Sequence, residues 1–162
     1  MKVLGVDPGL NITGYGLVVS DSGGQQLIEA GVIRSKTSLP LEQRLLSLYK
    51  GLEEVVEEFR PDALSIEELY SNYKHPKTAV IMAHARGLYY LVAAIENIPV
   101  FSYSATRIKK SLTGMGRASK DQVARMIFTT LNCSENSVTS DVTDALAAAL
   151  CHINAVSHGC IE

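Results

Sequence analysis

The sequence predicts an α/β fold in which one mixed sheet is flanked by helices on both faces. Two strand-like segments at 12–20 and 26–34 enclose the turn signal DSGG, and together they predict an antiparallel hairpin. Helical and strand-like patterns alternate after this hairpin, which is typical of a sheet covered by helices. A length of 162 residues suits one domain. We expect that domain over residues 1–156, followed by a frayed tail at 157–162.

The first half of the chain carries a local signal for each predicted element. The apolar run VLGV opens the chain as a buried strand. After the hairpin, leucine and valine recur at helical spacing between Pro40 and Pro61, which predicts one long helix. The segment ALSIEELY at 63–70 then predicts a second buried strand.

The second half of the chain is mainly helical. Ser119 and Gln122 form a capping-box pattern that opens one helix, which ends at about Leu131. An alanine-rich last helix begins at Thr139 or Ser140. The remaining predicted elements are a helix over roughly 77–97, the strand IPVFSYS and a short helix near 104–112.

Composition argues against membrane and secreted proteins. No run approaches the roughly 20 apolar residues that a membrane span needs, and the N-terminus lacks the order of regions found in a signal peptide. Cys133, Cys151 and Cys160 make an odd count without Cys-x-x-Cys spacing, which favours free thiols in a reducing compartment. We therefore expect a cytoplasmic protein with no membrane partner.

Two carboxylates stand at the ends of apolar strands. Asp7 directly follows the first strand, where an unpaired charge is costly. One interpretation is that it caps the turn formed by Pro8 and Gly9. Glu67, however, ends the second buried strand in the same way. If these strands are parallel neighbours, both carboxylates emerge at the carboxyl edge of the sheet, where α/β folds place ligand sites.

The last helix adds two further carboxylates. Asp141 and Asp144 are three residues apart and therefore share a helix face. Four converging carboxylates would repel one another, and Mg²⁺, which prefers carboxylate oxygens, would relieve that repulsion. Two such ions can activate a water molecule and stabilise the leaving oxygen of a phosphodiester. Helix capping and a solvated surface are the alternative interpretation.

Basic residues are concentrated in one stretch. The net charge of the chain is −2, so the whole molecule gives no hint of a polyanionic partner. A chain that is neutral on average can still bind phosphates with one face, although a solvated helix surface is the alternative. Six of the 15 basic residues lie in this stretch: Arg107, Lys109, Lys110, Arg117, Lys120 and Arg125.

Four motifs occur in order between about residues 3 and 156: GVDPGLNITGYG, SIEELY, IKKSLTGMGRASKDQV and SDVTDALAAALCH. Together they closely resemble the RuvC-type Holliday-junction resolvases. The resemblance implies an RNase H-like fold with a central mixed five-stranded sheet. It also implies a homodimer that cleaves four-way DNA junctions with Mg²⁺, leaving 5′-phosphate and 3′-hydroxyl ends. Branch-migration proteins similar to RuvA and RuvB are the further partners it implies.

The resemblance also assigns the carboxylates. By position, Asp7, Glu67, Asp141 and Asp144 match the catalytic residues that hold two Mg²⁺ ions per subunit, with Mn²⁺ as an alternative cation. Glu68 stands beside Glu67, but side chains alternate along a strand, so only one of the two faces the site. We expect Glu67 to face it.

Further residues are assigned to DNA and to the dimer. Lys110 and Lys120 match lysines that contact DNA near the scissile phosphate, and Arg117 belongs to the same basic stretch. Tyr70 stands where relatives often have a Phe that stacks on junction bases. The segment AHARGLYYLVAA, which contains Arg86, resembles the helix that forms the dimer contact.

Three other classes of protein share part of this pattern. An actin-like sugar kinase shares the pattern of Gly5, Asp7, Gly9 and Thr13, but it needs a second such loop, which this chain lacks. A nuclease of the same fold that acts on ribosomal RNA precursors shares the early Asp motif without the lysine-bearing stretch. A junction-binding module with an idle site would have lost at least one of the four carboxylates.

Overall fold

A mixed sheet of five strands organises the part of the chain that the computed structural model describes, namely residues 1–68, 76–134 and 138–160. The strands are β1 (Lys2–Asp7), β2 (Ile12–Asp21), β3 (Gly24–Arg34), β4 (Ala63–Glu67) and β5 (Val100–Tyr103), and their order in the sheet is β3-β2-β1-β4-β5. The helices are α1 (Leu41–Phe59), α2 (Pro76–Ile95), α3 (Ala105–Thr113), α4 (Lys120–Leu131) and α5 (Ser140–Ser157).

Strand pairing brings two carboxylates to one edge of the sheet. The hairpin β2–β3 and the pair β1–β2 are antiparallel, whereas β4 runs parallel to both β1 and β5. Val6 of β1 is paired with Ile66 of β4, so Asp7 and Glu67 end neighbouring strands at the same level. The predicted mixed sheet and the predicted parallel pair are both confirmed.

Helices cover both faces of the sheet, as predicted. Alternation along β1 sends Val3 into a core shared with α3, α4 and α5, and Leu4 into a second core shared with α1 and α2. The capping box is also confirmed: the backbone N–H of Ser119 donates to Gln122 Oε1 at 2.8 Å, and that of Gln122 donates to Ser119 Oγ at 3.2 Å.

Element ends differ slightly from those predicted. Strand β4 ends at Glu67, where the next backbone N–H, that of Glu68, donates to the Tyr103 carbonyl oxygen at 2.9 Å. At the other end of the chain, the backbone N–H of Cys160 donates to the Ala155 carbonyl oxygen at 2.9 Å.

Among the described residues, no helix combines the length and the apolar character needed to cross a membrane. The division into a domain and a tail stays a prediction.

Helix α5 packs directly on the backbone of β1 and β2. A Cβ atom built on Gly5 would collide with the carbonyl oxygen of Ala145. One built on Gly14 would collide with the carbonyl oxygen of Asp141. Because glycine has no side chain at these two positions, the first turns of α5 reach the sheet beside the end of β1. This contact carries the acidic residues of α5 toward Asp7.

Replacing Gly5 with Ala tests this close approach. The added methyl group meets backbone rather than a flexible side chain, so we expect Gly5→Ala to lower the free energy of unfolding by about 3 kcal/mol or more. Gly87→Ala in α2 is the control within one subunit, since no side chain or other element of that subunit lies within 4 Å of a Cβ built there. Urea denaturation measures both, and equal stabilities of the two variants would contradict the close packing of α5.

Candidate active site

A cavity of about 300 Å³ opens at the carboxyl edge of β1 and β4. Three elements deliver its acids: Asp7 is the last residue of β1, Glu67 is the last residue of β4, and Asp144 lies in the second turn of α5. The charged groups that line the cavity are Asp7, Glu67, Glu68, Asp144, Arg86, Lys109 and Lys120. The structure thus brings three of the four predicted carboxylates to one cavity. Glu68 lines the cavity as well, so the expectation that only Glu67 of this pair faces the site is wrong: β4 ends at Glu67, and strand alternation no longer applies to Glu68.

The acids of this cavity act on one another electrostatically. Burial raises the pKa of Asp7 to about 7, and the charges of Asp144, Glu67 and Asp141 contribute to that rise in that order. Asp141 does not line the cavity, yet its charge is felt at Asp7. Burial and the charge of Asp144 also raise the pKa of Glu67. The site therefore holds negative charge that its surroundings do not fully neutralise.

Lys120 supplies the nearest counter-charge. Its Nζ atom lies 2.7 Å from Asp144 Oδ2, and this hydrogen-bonded contact raises the pKa of Lys120. The Lys120 side chain is 73% exposed, whereas that of Asp144 is 31% exposed. An exposed pair of this kind adds little stability, so the lysine can move away when another positive group arrives.

The structure separates two adjacent lysines of α3. Lys109 lines the acidic cavity, and its charge partly offsets the rise in the pKa of Glu67 that burial and Asp144 cause. Lys110, which the family resemblance assigned to DNA near the scissile phosphate, lines a second cavity together with Arg107 and His158. Consecutive residues of a helix point about 100° apart, so only one of the two can face the acids. The sequence motifs did not single out Lys109. The rotation between consecutive helical residues is the feature that could have separated it from Lys110.

Arg86 also points toward the acids. Its Nη1 atom donates to the Glu67 carbonyl oxygen, and its Nη2 atom donates to Tyr90 Oη and Ser102 Oγ, each at 3.0 Å. The family resemblance assigned the segment of Arg86 to the dimer contact, and the structure places the Arg86 side chain at the cavity. Arg117 lies between α3 and α4, outside the cavity lining. Tyr70 lies outside the described residues.

The hydroxyl of Thr13, and not Asp7, holds the turn after β1. Thr13 Oγ1 donates to the Gly9 carbonyl oxygen at 2.9 Å and accepts from the Gly9 backbone N–H at 3.3 Å. The interpretation of Asp7 as a turn cap therefore gives way to a carboxylate that faces the cavity. The role of Thr13 was missed because its partner lies across a turn that the sequence pattern does not define.

The donor set fits a hard divalent cation. The acidic groups of the cavity are carboxylates, whose oxygens Mg²⁺ prefers. A bound cation would offset the burial and repulsion that raise the pKa values of Asp7 and Glu67. Among the described residues, no three Asp, Glu, His or Cys side chains are gathered closely enough to hold an ion as they stand. Lys120 pairs with Asp144 in that arrangement.

An acidic cavity at the end of an α/β sheet, edged by basic helices, defines a metal-dependent class of phosphodiesterase. The family model that describes crossover junction endodeoxyribonuclease RuvC matches residues 3–152. The RuvC protein of Ruminiclostridium cellulolyticum is 42% identical over 99% of this chain and 96% of its own length. That of Rhodopirellula baltica is 43% identical over 92% of this chain and 84% of its own length.

Solved structures agree with the sequence relatives. RuvC of Thermus thermophilus superposes with a TM-score of 0.91 at 30% identity, covering 98% of this chain and 97% of that one. The same protein in complex with a Holliday junction substrate gives a TM-score of 0.90 at 28% identity, covering 99% and 98%. The chain belongs to the crossover junction endodeoxyribonuclease RuvC family. The expected RNase H-like fold and endodeoxyribonuclease class are thereby confirmed.

The raised pKa of Asp7 predicts a specific dependence of stability on pH. Between its ordinary value of 3.8 and about 7, the folded protein binds more protons at Asp7 than the unfolded chain does. In the absence of divalent cations, the stability that the protonated Asp7 carboxyl contributes is therefore fully present below pH ~4. It is lost as the pH rises through ~7. Asp7→Asn should remove this dependence and stabilise the protein by up to about 4 kcal/mol at pH ~8.

Urea denaturation in EDTA across this pH range measures the effect. Asp21→Asn, an exposed change at the end of β2, is the control. If the free energy of unfolding depended on pH equally in the parent and in Asp7→Asn, burial would not raise the pKa of the Asp7 carboxyl.

Proposed function

We propose that this chain resolves four-way DNA junctions by nicking two opposing strands symmetrically, with Asp7, Glu67, Asp141 and Asp144 as its catalytic carboxylates. One observation carries the proposal: the ends of β1 and β4 and the start of α5 deliver three of these carboxylates to a single cavity. Family membership supports the substrate, because a Thermus thermophilus relative has been solved with a Holliday junction.

The four carboxylates would hold two Mg²⁺ ions per subunit, with Mn²⁺ as an alternative. When bound, such ions supply charge neutralisation, an activated water and stabilisation of the leaving oxygen. The chain itself supplies the rest. Lys109 and Lys120 at the cavity can contact the non-bridging oxygens of a phosphate. Cleavage of the bond between phosphorus and the 3′ oxygen would leave 5′-phosphate and 3′-hydroxyl ends.

A homodimer would place two such cavities on one junction. The outward side of α2 exposes Val80, Leu91 and Ile95, each at least 50% accessible, together with His84. At 100° per residue these four positions fall on one side of the helix, and exposed apolar stripes of this kind mark protein interfaces. We assign the dimer contact to this stripe rather than to Arg86. A monomeric mass in sedimentation equilibrium would overturn the proposed homodimer.

The remaining expectations stay predictions. Binding of branch-migration proteins similar to RuvA and RuvB, a cytoplasmic location and base stacking by Tyr70 each require a separate measurement. The alternative of a junction-binding module with an idle site makes a clear contrast, since it would bind a junction without nicking it.

A synthetic mobile four-way junction, incubated with the protein and Mg²⁺ and resolved on a denaturing gel, tests the activity. Glu67→Gln should suppress cleavage by about two orders of magnitude or more, because the amide keeps the volume but loses the charge that holds a cation. Junction binding in EDTA should persist. Glu68→Gln is the comparison variant, because Glu68 also lines the cavity but follows the end of β4, and we expect it to keep most of the activity. An inactive Glu68→Gln beside an active Glu67→Gln would show that the register is wrong.

The two adjacent lysines of α3 should behave differently. Lys109→Ala should lower the single-turnover cleavage rate at saturating protein, because Lys109 faces the acidic cavity. Lys110→Ala should leave that rate unchanged while it weakens junction affinity and reduces the log–log salt slope by about one unit for each phosphate that the lysine neutralises. Fluorescence anisotropy over a salt series gives the slope. A rate defect confined to Lys110→Ala would reverse the assignment.

A further inference from the structure

Two buried hydroxyl groups connect β2 with α2 behind the acidic cavity. Thr13 and Tyr89 are both fully buried, and their hydroxyl oxygens are hydrogen-bonded to each other. Neither residue lines the cavity. The pair therefore lies one layer behind the catalytic carboxylates, between the sheet and the helix.

A proton count fixes the direction of this hydrogen bond. A threonine hydroxyl has one proton and two lone pairs. Thr13 gives its proton to the Gly9 carbonyl oxygen at 2.9 Å and accepts the Gly9 backbone N–H at 3.3 Å. One lone pair remains, and Tyr89 must donate into it. Burial raises the pKa of Tyr89 to about 12, with a further contribution from Asp7, so the phenol keeps the proton it donates.

The Gly9 groups held by Thr13 belong to the turn that follows Asp7. Pro8, which lies between Asp7 and Gly9, has a fixed φ angle. A Cβ atom built on Gly9 would collide with the Ile12 carbonyl oxygen, so the turn is tight as well as hydrogen-bonded. The backbone between Asp7 and Gly9 therefore has little conformational freedom. A shift of the Thr13 hydroxyl would consequently move the end of β1.

Helix α2 holds the neighbouring strand end too. Arg86 is three residues before Tyr89 and therefore lies near it on the same helix surface. The Arg86 guanidinium donates to the Glu67 carbonyl oxygen at the end of β4. Helix α2 thus contacts both segments that carry the strand-end carboxylates. Arg86 binds the backbone of Glu67 directly, and Tyr89 contacts the turn after Asp7 through Thr13.

We propose that Tyr89 is a positioning residue, whose hydroxyl sets the Asp7 carboxylate for cation binding through the Thr13–Gly9 hydrogen bonds. This inference rests on the proposed function, in which Asp7 is a metal-binding carboxylate. A hydroxyl that only satisfied the core would affect folding stability and nothing else. A positioning hydroxyl also affects how strongly the site binds its cation.

Tyr89→Phe removes the hydroxyl and keeps the buried ring. We expect the Mg²⁺ concentration at the midpoint of a thermal-shift titration to rise, and the single-turnover cleavage rate to fall by about tenfold, as removal of one hydrogen bond of ordinary strength allows. Junction affinity in EDTA should stay within about twofold, because the buried Tyr89 does not reach the DNA. Tyr49→Phe is the matched control: its hydroxyl donates to Glu53 Oε1 at 2.7 Å on α1, away from the cavity.

A second comparison decides the case if Tyr89→Phe does not fold. Thr13→Ser keeps the hydroxyl, whereas Thr13→Val keeps the shape without it. The serine variant should bind Mg²⁺ at a lower midpoint and cleave faster than the valine variant.

The inference is overturned if Tyr89→Phe keeps the parental Mg²⁺ midpoint and rate, whatever its melting temperature, or if the two Thr13 variants are alike. An inactive parent protein would instead contradict the proposed function. In that case the Mg²⁺ midpoints of the same variants still decide whether Tyr89 positions Asp7.

Discussion

The close approach of α5 to the backbone of β1 and β2 is the constraint on which the site depends. Two glycines, Gly5 and Gly14, leave room for the carbonyl groups of the helix. The helix is correspondingly rich in alanine on its buried side, including the fully buried Ala145, Ala148 and Ala149. Small residues on both partners bring an acidic helix start to the end of an apolar strand. The arrangement of the acidic cavity is therefore a result of packing in the core.

Charge and hydrogen bonding then determine what this packing can do. Burial makes the carboxylates costly to ionise, and their mutual repulsion adds to that cost. Basic side chains at the cavity, Arg86, Lys109 and Lys120, reduce the cost without removing it. The remaining demand for positive charge is what suits the site to a divalent cation and, beyond it, to a phosphate.

Local patterns predicted much of the fold and the meeting of three acidic residues at one cavity. Strand ends and helix starts are local features, so Asp7, Glu67 and Asp144 could be placed from spacing alone, and the capping box of Ser119 was visible in the same way. The direction of a helical side chain depends on the neighbours against which the helix packs. The family resemblance named Lys110, and only the packed structure shows that Lys109 is the lysine of this pair that lines the acidic cavity. Long-range hydroxyl contacts such as Thr13 with Tyr89 leave no periodic signal at all.

The ion pair of Lys120 with Asp144 has a consequence for how the site fills. A divalent cation that bound Asp144 would displace the Lys120 ammonium group, so the positive charge beside that carboxylate would rise by one unit rather than two. The displaced lysine would stay in the cavity lining, where it could contact a phosphodiester. Metal occupancy and affinity for the backbone of DNA would then be thermodynamically linked.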